Sequence, residues 1–291
     1  MVYTEEEVQN ASLAYFNNDS LAADVWVKKY CWHNNDKYFE KSPTNMHRRM
    51  AKEFARIENN YPNPMSEEEI FNLFDHFKYI IPQGSVMSSL GKDDVYASLS
   101  NCIVLPPLQD SYNSIMWADT QLTALYRRRC GVGLDISNLR PEGSLVSNSA
   151  QNSTGAVSFM ERFSNTTREV GQENRRGALM LSIDIRHPDI EQFALIKQDS
   201  SKVTGANISI RIRDEFMKAV EKDLSYTLRF PVESSIENAL ITKTIQARDL
   251  WNVIVTCARD RAEPGLLFWD IQNNYSPSHF YPNFENTTVN P

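Results

Sequence analysis

The sequence has few residues of the types that build disulfide frameworks, metal centres or phosphate-binding loops. Its 291 residues include four cysteines, five histidines and 10 glycines. The cysteines are widely spaced and form no Cys-x-x-Cys pair, which argues against a disulfide scaffold and a structural zinc site and fits a reducing cytoplasm. The histidines are scattered, so we expect no metal to be bound by this chain.

Glycine-based nucleotide-binding signatures are also missing. There is no Gly-x-Gly-x-x-Gly and no Gly-x-x-x-x-Gly-Lys-Ser/Thr, since Gly131-Val-Gly133 is followed by Leu-Asp-Ile inside a predicted strand. Phosphate binding would therefore depend on helix ends and arginines. The net charge of −7 argues against a face for direct nucleic-acid binding, because such faces need clustered Lys and Arg.

Long apolar runs are absent as well. No run could span a bilayer, and the acidic start, Met1-Val-Tyr-Thr-Glu-Glu-Glu7, lacks the apolar segment of a signal peptide. We therefore expect a cytoplasmic protein with no membrane association. Apolar residues make up 41% of the chain, which is enough for a core, and the length fits one large domain or two modest ones.

Residues 1 to about 80 have the apolar spacing of helices. The clearest helix start is Pro64-Met-Ser-Glu-Glu-Glu-Ile70, where Ser66 can cap the first amides and Glu69 can bond back to the cap. From about residue 96, short apolar runs alternate with helical stretches. We predict strands near 101–105, 131–136, 178–183, 206–212 and 265–269, and helices near 111–129, 156–169, 188–198, 213–222 and 246–261. This alternation predicts a parallel sheet of the α/β class, buried on both faces.

Four segments in a fixed order carry a family resemblance. They are Leu99-Ser-Asn-Cys-Ile-Val-Leu-Pro106, Leu134-Asp-Ile-Ser-Asn-Leu-Arg-Pro-Glu-Gly143, Ser153-Thr-Gly-Ala-Val-Ser-Phe-Met160 and Asn174-Arg-Arg-Gly-Ala-Leu-Met180. Together they resemble the catalytic large chain of a ribonucleotide reductase over roughly residues 80–290. The resemblance implies a helical amino-terminal domain (1–90) followed by the first five-stranded half of a ten-stranded α/β barrel (91–291).

In that family, an Asn-Pro pair such as Asn290-Pro291 can immediately precede the cysteine that becomes the thiyl radical. The resemblance therefore implies a reductase chain that stops just before its radical cysteine. We expect residues 1–291 alone to be inactive, with a missing carboxyl-terminal half supplied by the same precursor or by a separate chain. An intein, a split gene and an incomplete gene model all remain open as explanations.

Cys102 has two interpretations. From composition alone, an isolated cysteine on a strand is more often a buried core residue than a reactive one. The resemblance instead places one member of the redox dithiol on the first barrel strand, at Cys102. Cys31, Cys130 and Cys257 match no catalytic position, and we interpret them as packing residues.

An effector site for a deoxynucleoside triphosphate or ATP is implied at Asp110 and Arg140. By type and place Asp110 is also a candidate N-cap for the helix at 111–129. The family's Asp bonds the effector sugar and its Arg bonds phosphate, for which a guanidinium is well suited. Many relatives have a second arginine where this chain has Ser147-Asn148, which leaves effector preference open. The site forms at a dimer interface in the family, so a homodimer is implied.

Substrate contacts are implied at Ser85, Asn101 and Arg176. Arg176 matches the arginine of the specificity loop, Gln172-Glu-Asn-Arg-Arg-Gly177, which could also be an ordinary exposed loop. His187-Pro-Asp189 is predicted to start a helix rather than to form a ligand pair.

The resemblance also implies cofactors and partners. As the radical source, the sequence of Val203-Thr-Gly-Ala-Asn-Ile-Ser-Ile210 favours adenosylcobalamin, and a radical-generating di-metal small subunit is the alternative. The implied substrate is a ribonucleoside diphosphate or triphosphate, and the implied reductant is of the thioredoxin type. Two other functions stay open, namely a non-catalytic deoxynucleotide-binding fragment and a glycyl-radical-type barrel enzyme. The effector-type residues disfavour the second of these.

Overall fold

A computed structural model describes residues 2–94, 96–170, 177–281, 283 and 286–289. The chain forms two compact units, Met1–Asn101 and Cys102–Pro291. The predicted domain division after residue 90 stays a prediction. No helix in these described ranges is long and apolar enough to cross a membrane.

The first unit is helical. Its helices are α1 (Glu5–Tyr15), α2 (Ser20–Lys29), α3 (Pro43–Glu58), α4 (Glu67–Phe74) and α5 (Gly84–Ser89), and a short antiparallel pair, β1 (His33–Asn34) with β2 (Lys37–Tyr38), follows α2. The predicted capping box is confirmed, because Ser66 accepts a bond from the Glu69 amide and the Glu69 carboxylate accepts one from the Ser66 amide. Apolar side chains from α2, α3 and α4, including Trp26, Met50 and Phe71, pack into one core.

The second unit contains a five-stranded parallel sheet. Its strands are β3 (Cys102–Val104), β4 (Gly131–Asp135), β5 (Ala178–Asp184), β6 (Asn207–Ile212) and β9 (Gly265–Phe268), in that spatial order. The intervening helices are α6 (Tyr112–Tyr126), α7 (Met160–Glu169), α8 (Ile190–Leu195), α9 (Asp214–Glu221) and α10 (Ala247–Arg261), and α11 (Trp269–Tyr275) follows β9. All five predicted strands and the α/β alternation are confirmed.

One element of this unit was not predicted. Strands β7 (Ser225–Phe230) and β8 (Ile241–Gln246) form an antiparallel pair between α9 and α10. A hairpin is recognised in a sequence by a two-residue turn, and this pair has none. Its strands are joined by a longer connection that includes Pro231 and a short helical turn at Ile236–Asn238. Inserted in this way, the pair lies outside the parallel sheet.

The two faces of the parallel sheet differ in chemistry. On one face Val132, Leu134, Leu181, Ile183 and Ile210 belong to the large core that packs against the helices. Along the other face the alternate residues are small or polar, with Met180 as the exception. They are Gly131, Gly133 and Asp135 on β4, Ala178, Met180, Ser182 and Asp184 on β5, and Asn207, Ser209 and Arg211 on β6. We call this second set the polar face.

Asp184 is the most deeply buried charge on the polar face, with no solvent exposure. Its Oδ2 lies 2.9 Å from Arg213 Nε and 3.5 Å from an Arg211 terminal nitrogen, and its Oδ1 accepts the Arg186 amide at 3.0 Å. A buried carboxylate is tolerable only with such partners, because its loss of hydration must be offset by bonds inside the protein.

We predict that Asp184→Ala strongly destabilises the second unit. The substitution leaves two buried guanidinium groups without this partner, which typically costs about 3–5 kcal/mol of unfolding free energy. Urea unfolding followed by circular dichroism measures the change. Asp260→Ala is the control, since Asp260 pairs with Arg259 on the surface and should leave the midpoint unchanged. Equal midpoints for Asp184→Ala and wild type would contradict the prediction.

Candidate functional site

Cys102 begins the edge strand β3 and lies opposite Gly131, which lies opposite Ala178 on the next strand. Its neighbours in this row are therefore a glycine and an alanine, which have little or no side chain. Cys102 is exposed, whereas Cys31, Cys130 and Cys257 are buried. Burial raises the pKa of the Cys31 thiol to about 12, so that thiol stays protonated near neutral pH.

The exposure of Cys102 contradicts the interpretation of this residue as a core cysteine. Burial of the other three agrees with their interpretation as packing residues. The redox role of Cys102 stays a prediction.

Further along the polar face, side chains from three strands form a buried network. The Asp135 carboxylate accepts bonds from the Ser137 amide at 3.0 Å and the Ser182 hydroxyl at 2.7 Å. Arg211 Nε lies 3.3 Å from Asp135 Oδ2, and the Arg211 guanidinium lies over the Trp269 ring, 4.9 Å from its centroid. The network thus holds acceptors and donors of both charges in a small volume.

Residues 286–289 lie against this network. Arg211 donates to the Thr287 carbonyl at 2.9 Å, and the hydroxyls of Thr288 and Ser182 are 2.5 Å apart. The Thr287 hydroxyl donates to the Leu105 carbonyl, just beyond β3, at 3.2 Å. The segment is therefore bonded both to the polar face and to the residue that follows the strand beginning with Cys102.

A cavity of about 190 Å³ lies at the start of α6. Its lining includes Asp110, Ser111, Tyr112, Arg140, Ser147, Asn148 and Phe159. Two predicted effector residues are brought together here, and Ser147 and Asn148 also line the cavity. The rings of Tyr112 and Phe159 meet edge to face, with centroids 6.0 Å apart, and give one wall an aromatic surface.

Arg140 and Asp110 form a paired contact in this cavity. Arg140 Nε lies 2.7 Å from Asp110 Oδ2, and the Arg140 amide donates to Asp110 Oδ1 at 3.1 Å. Both side chains are about one-third exposed, so they are open to solvent and to a ligand. The prediction that Asp110 caps α6 is wrong. Ser111 is the cap and accepts the Ser114 amide, because the Asp110 carboxylate is already directed to Arg140.

The predicted substrate residues Ser85 and Asn101 are brought together within the helical unit. Asn101 Oδ1 accepts the Ser85 amide at 2.8 Å. Ser85 is buried, and its hydroxyl has no hydrogen-bond partner among the residues that the structure describes. Buried hydroxyls are usually bonded, so this one has unused hydrogen-bonding capacity. The third substrate residue, Arg176, and residues 172–175 lie outside the described residues.

The sequence reasoning missed two groups of site residues. The first is the polar face, whose signal was present as a polar or small residue at every second position of 131–137, 178–184 and 207–213 except Met180. The second is His187-Pro-Asp189. Asp189 does precede α8, as predicted, but its carboxylate bonds the amides of Glu142 and Ala156 instead of the helix.

Comparison with known proteins gives two family matches. Residues 16–94 match a model described as ribonucleotide reductase, all-alpha domain, and residues 100–283 match ribonucleotide reductase, barrel domain. The five parallel strands and their helices are consistent with half of such a barrel.

Curated relatives are similar over most of this chain. A vitamin B12-dependent ribonucleoside-diphosphate reductase of Thermoplasma acidophilum is 32% identical over 76% of this chain and 27% of its own length. One from Mycobacterium tuberculosis is 30% identical over 89% of this chain and 37% of its own length. A ribonucleoside-diphosphate reductase large subunit of Caenorhabditis elegans is 26% identical over 61% of this chain and 26% of its own length. The chain thus spans between about a quarter and just over a third of the length of these relatives.

We predict that Cys102 is the fast-reacting thiol of the native chain. An exposed thiol meets a disulfide reagent directly, whereas buried thiols react only after local opening. Titration with a chromogenic aromatic disulfide under native conditions should give one rapid equivalent in wild type and none in Cys102→Ser. Cys257→Ser is the matched control and should retain the rapid equivalent. A rapid phase that survives in Cys102→Ser would show the prediction to be wrong.

Proposed function

This chain belongs to the ribonucleotide reductase large-chain family, and from that premise we propose that it forms the effector-binding and thiol-bearing part of a ribonucleoside-diphosphate reductase. Such an enzyme reduces ribonucleoside diphosphates, or triphosphates, to deoxyribonucleotides for DNA synthesis. The observation that carries the proposal is the paired Asp110 and Arg140 in the lining of a cavity, in the unit whose edge strand exposes Cys102.

The cavity has the groups that a deoxynucleoside triphosphate needs. Asp110 can accept a bond from a sugar hydroxyl, and Arg140 can donate to phosphate oxygens. The N-terminus of α6 adds a partial positive charge beside Ser111 and Tyr112, which favours an anion. The aromatic rings of Tyr112 and Phe159 offer an apolar surface to a base. A guanidinium, a helix terminus and a ring surface are thus available for one nucleotide.

Cys102 is proposed as one sulfur of the dithiol that supplies electrons. Replacing a 2′-hydroxyl by hydrogen consumes two electrons and two protons, which a dithiol provides as it closes to a disulfide and the hydroxyl leaves as water. A thioredoxin-type reductant would reopen that disulfide. Ser85, Asn101 and Arg176 are proposed to bind the ribonucleotide, and the unpartnered Ser85 hydroxyl supports the first of these.

For the radical source we propose adenosylcobalamin, and the B12-dependent relatives support it over a di-metal small subunit. The residues that the structure describes contain no group of three or more His, Cys, Asp and Glu placed to hold a metal ion.

The proposed assembly is a cytoplasmic homodimer. Helix α6 supports it, because Met116 and Trp117 are exposed large apolar side chains on the same helix that borders the cavity. The exposed, unpaired Cys102 fits a reducing compartment. The remaining proposed partner is a carboxyl-terminal half that corresponds to the part of the relatives beyond the matched region. It would come from the same precursor or from a separate chain.

We expect Arg140→Ala to weaken binding of deoxynucleoside triphosphates by about tenfold to a hundredfold. Bonds to charged groups contribute about 1.5–3 kcal/mol each, and the substitution also leaves the Asp110 charge facing the phosphates. Isothermal titration calorimetry of the 291-residue chain with dATP, dGTP, dTTP and dCTP measures the effect.

Arg259→Ala is the matched control for this titration. Arg259 also contacts an aspartate, Asp260, at 2.7 Å, but on an exposed helix end away from the cavity lining. Its affinity should equal that of wild type. If no triphosphate binds the wild-type chain, or if both variants bind equally well, the proposed effector site is wrong.

We also expect the 291-residue chain alone to reduce no ribonucleotide. A dithiol needs a second accessible sulfur, and the cysteines other than Cys102 are buried. The assay follows conversion of radiolabelled CDP and CTP with adenosylcobalamin and dithiothreitol, with a full-length B12-dependent relative as positive control. Deoxynucleotide formed by the chain alone would contradict this expectation.

A further inference from the structure

One wall of the cavity is formed by a loop whose two ends lie close together. Leu139 and Arg140 enter it, and Ser153 and Thr154 leave it. The two legs are bonded to each other, because the Gly143 amide donates to the Ser153 carbonyl at 2.9 Å and the Ser153 amide donates to the Ser144 carbonyl at 2.8 Å. Between the legs, the tip of the loop carries the lining residues Ser147 and Asn148.

A single carboxylate holds the base of both legs. Asp189 Oδ1 accepts the Glu142 amide at 3.1 Å, and Asp189 Oδ2 accepts the Ala156 amide at 3.0 Å. Asp189 is only 8% exposed and is not itself part of the cavity lining. A carboxylate is a stronger acceptor of backbone amides than a neutral group, and burial strengthens the bond, so this contact fixes the spacing of the legs.

His187 holds the backbone of Asp189, from which that carboxylate extends. The Asp189 amide donates to His187 Nδ1 at 3.0 Å, so the ring proton is on Nε2, which donates to the Leu139 carbonyl at 2.8 Å. Burial lowers the pKa of His187 and keeps the ring neutral, as this bonding pattern requires. The imidazole thus joins Asp189 to the residue at which the cavity wall begins.

Gly155 shows how closely the backbone approaches Asp189. Its φ of +86° is one that glycine adopts easily, and a Cβ built there would lie 2.7 Å from Asp189 Oδ2 and 2.8 Å from the Glu142 nitrogen. Any side chain at this position would push the carboxylate and the two legs apart.

We propose that Asp189, oriented by His187, is a positioning residue that holds loop 139–156 in the shape that binds the effector nucleotide. The inference rests on the proposed function of the cavity. Asp189 acts through the loop and touches no ligand. The carboxylate contributes to affinity because the loop is ordered before the nucleotide arrives, so binding does not have to order it.

The experiment compares nucleotide affinity in Asp189→Asn, Asp189→Ala and wild-type chains of 291 residues. Isothermal titration calorimetry uses the deoxynucleoside triphosphate that wild type binds most tightly. We expect at least a tenfold loss for Asp189→Asn and a larger loss for Asp189→Ala, because asparagine retains one acceptor oxygen and alanine retains none. Hydrogen exchange should show faster exchange of the Glu142 and Ala156 amides in both variants.

Glu161→Gln is the matched control, since the Glu161 carboxylate also accepts a loop amide, that of Val203, at 2.7 Å, but in a different loop. Its nucleotide affinity should stay within twofold of wild type. Gly155→Ala disturbs the contact between Asp189 and the two legs while leaving Asp189 in place. If Asp189→Asn does not fold, Gly155→Ala alone tests the positioning role. We expect it to lower affinity at least tenfold.

The outcomes separate the two ideas. If the wild-type chain binds no triphosphate, the proposed function of the cavity is overturned. If wild type binds and both Asp189→Asn and Gly155→Ala bind within twofold of it, the positioning role alone is overturned. Equal losses in Asp189→Asn and Glu161→Gln would likewise overturn it, because the effect would then follow general destabilisation.

Discussion

The burial of charge on one face of the parallel sheet is the constraint on which the second unit depends. Asp184 has no access to water, so its carboxylate must find donors on neighbouring elements, and it finds them in Arg211, Arg213 and the Arg186 amide. The same arginines contact Asp135, Asp270 and the Thr287 carbonyl. Satisfying one buried carboxylate therefore aligns three strands and fixes residues 286–289 against them.

The wall of the cavity at the start of α6 is held in place in a different way. Its wall is a loop whose two legs share a few backbone bonds and one antiparallel bridge, which is less than a regular strand pair provides. Asp189 and His187 add side-chain bonds to Leu139, Glu142 and Ala156. The sheet is held rigid by its paired strands, whereas the loop is held by hydrogen bonds to two buried polar side chains just before α8.

Much of the architecture was predictable, because it follows from local patterns. Apolar runs predicted the five parallel strands, and Ser66 with Glu69 predicted a helix start. The cap of α6 was assigned to Asp110 instead of Ser111, because both residue types are good caps and only the fold brings Arg140 to Asp110. The bonds of Asp189 were equally out of reach, since their partners lie over 30 residues away in sequence. The roles of Cys102, Ser85 and Asn101 came from family resemblance, which local physics does not supply.

The hydrogen bond between Thr287 and Leu105 joins residues separated by 182 positions. Contacts of such long range form late, because the intervening chain must first be synthesised and its ends brought together. During synthesis on the ribosome, the bond from Thr287 to Leu105, next to the edge strand, can therefore form only after nearly all of the unit has emerged. During that interval, pairing with β4 holds the strand in the sheet.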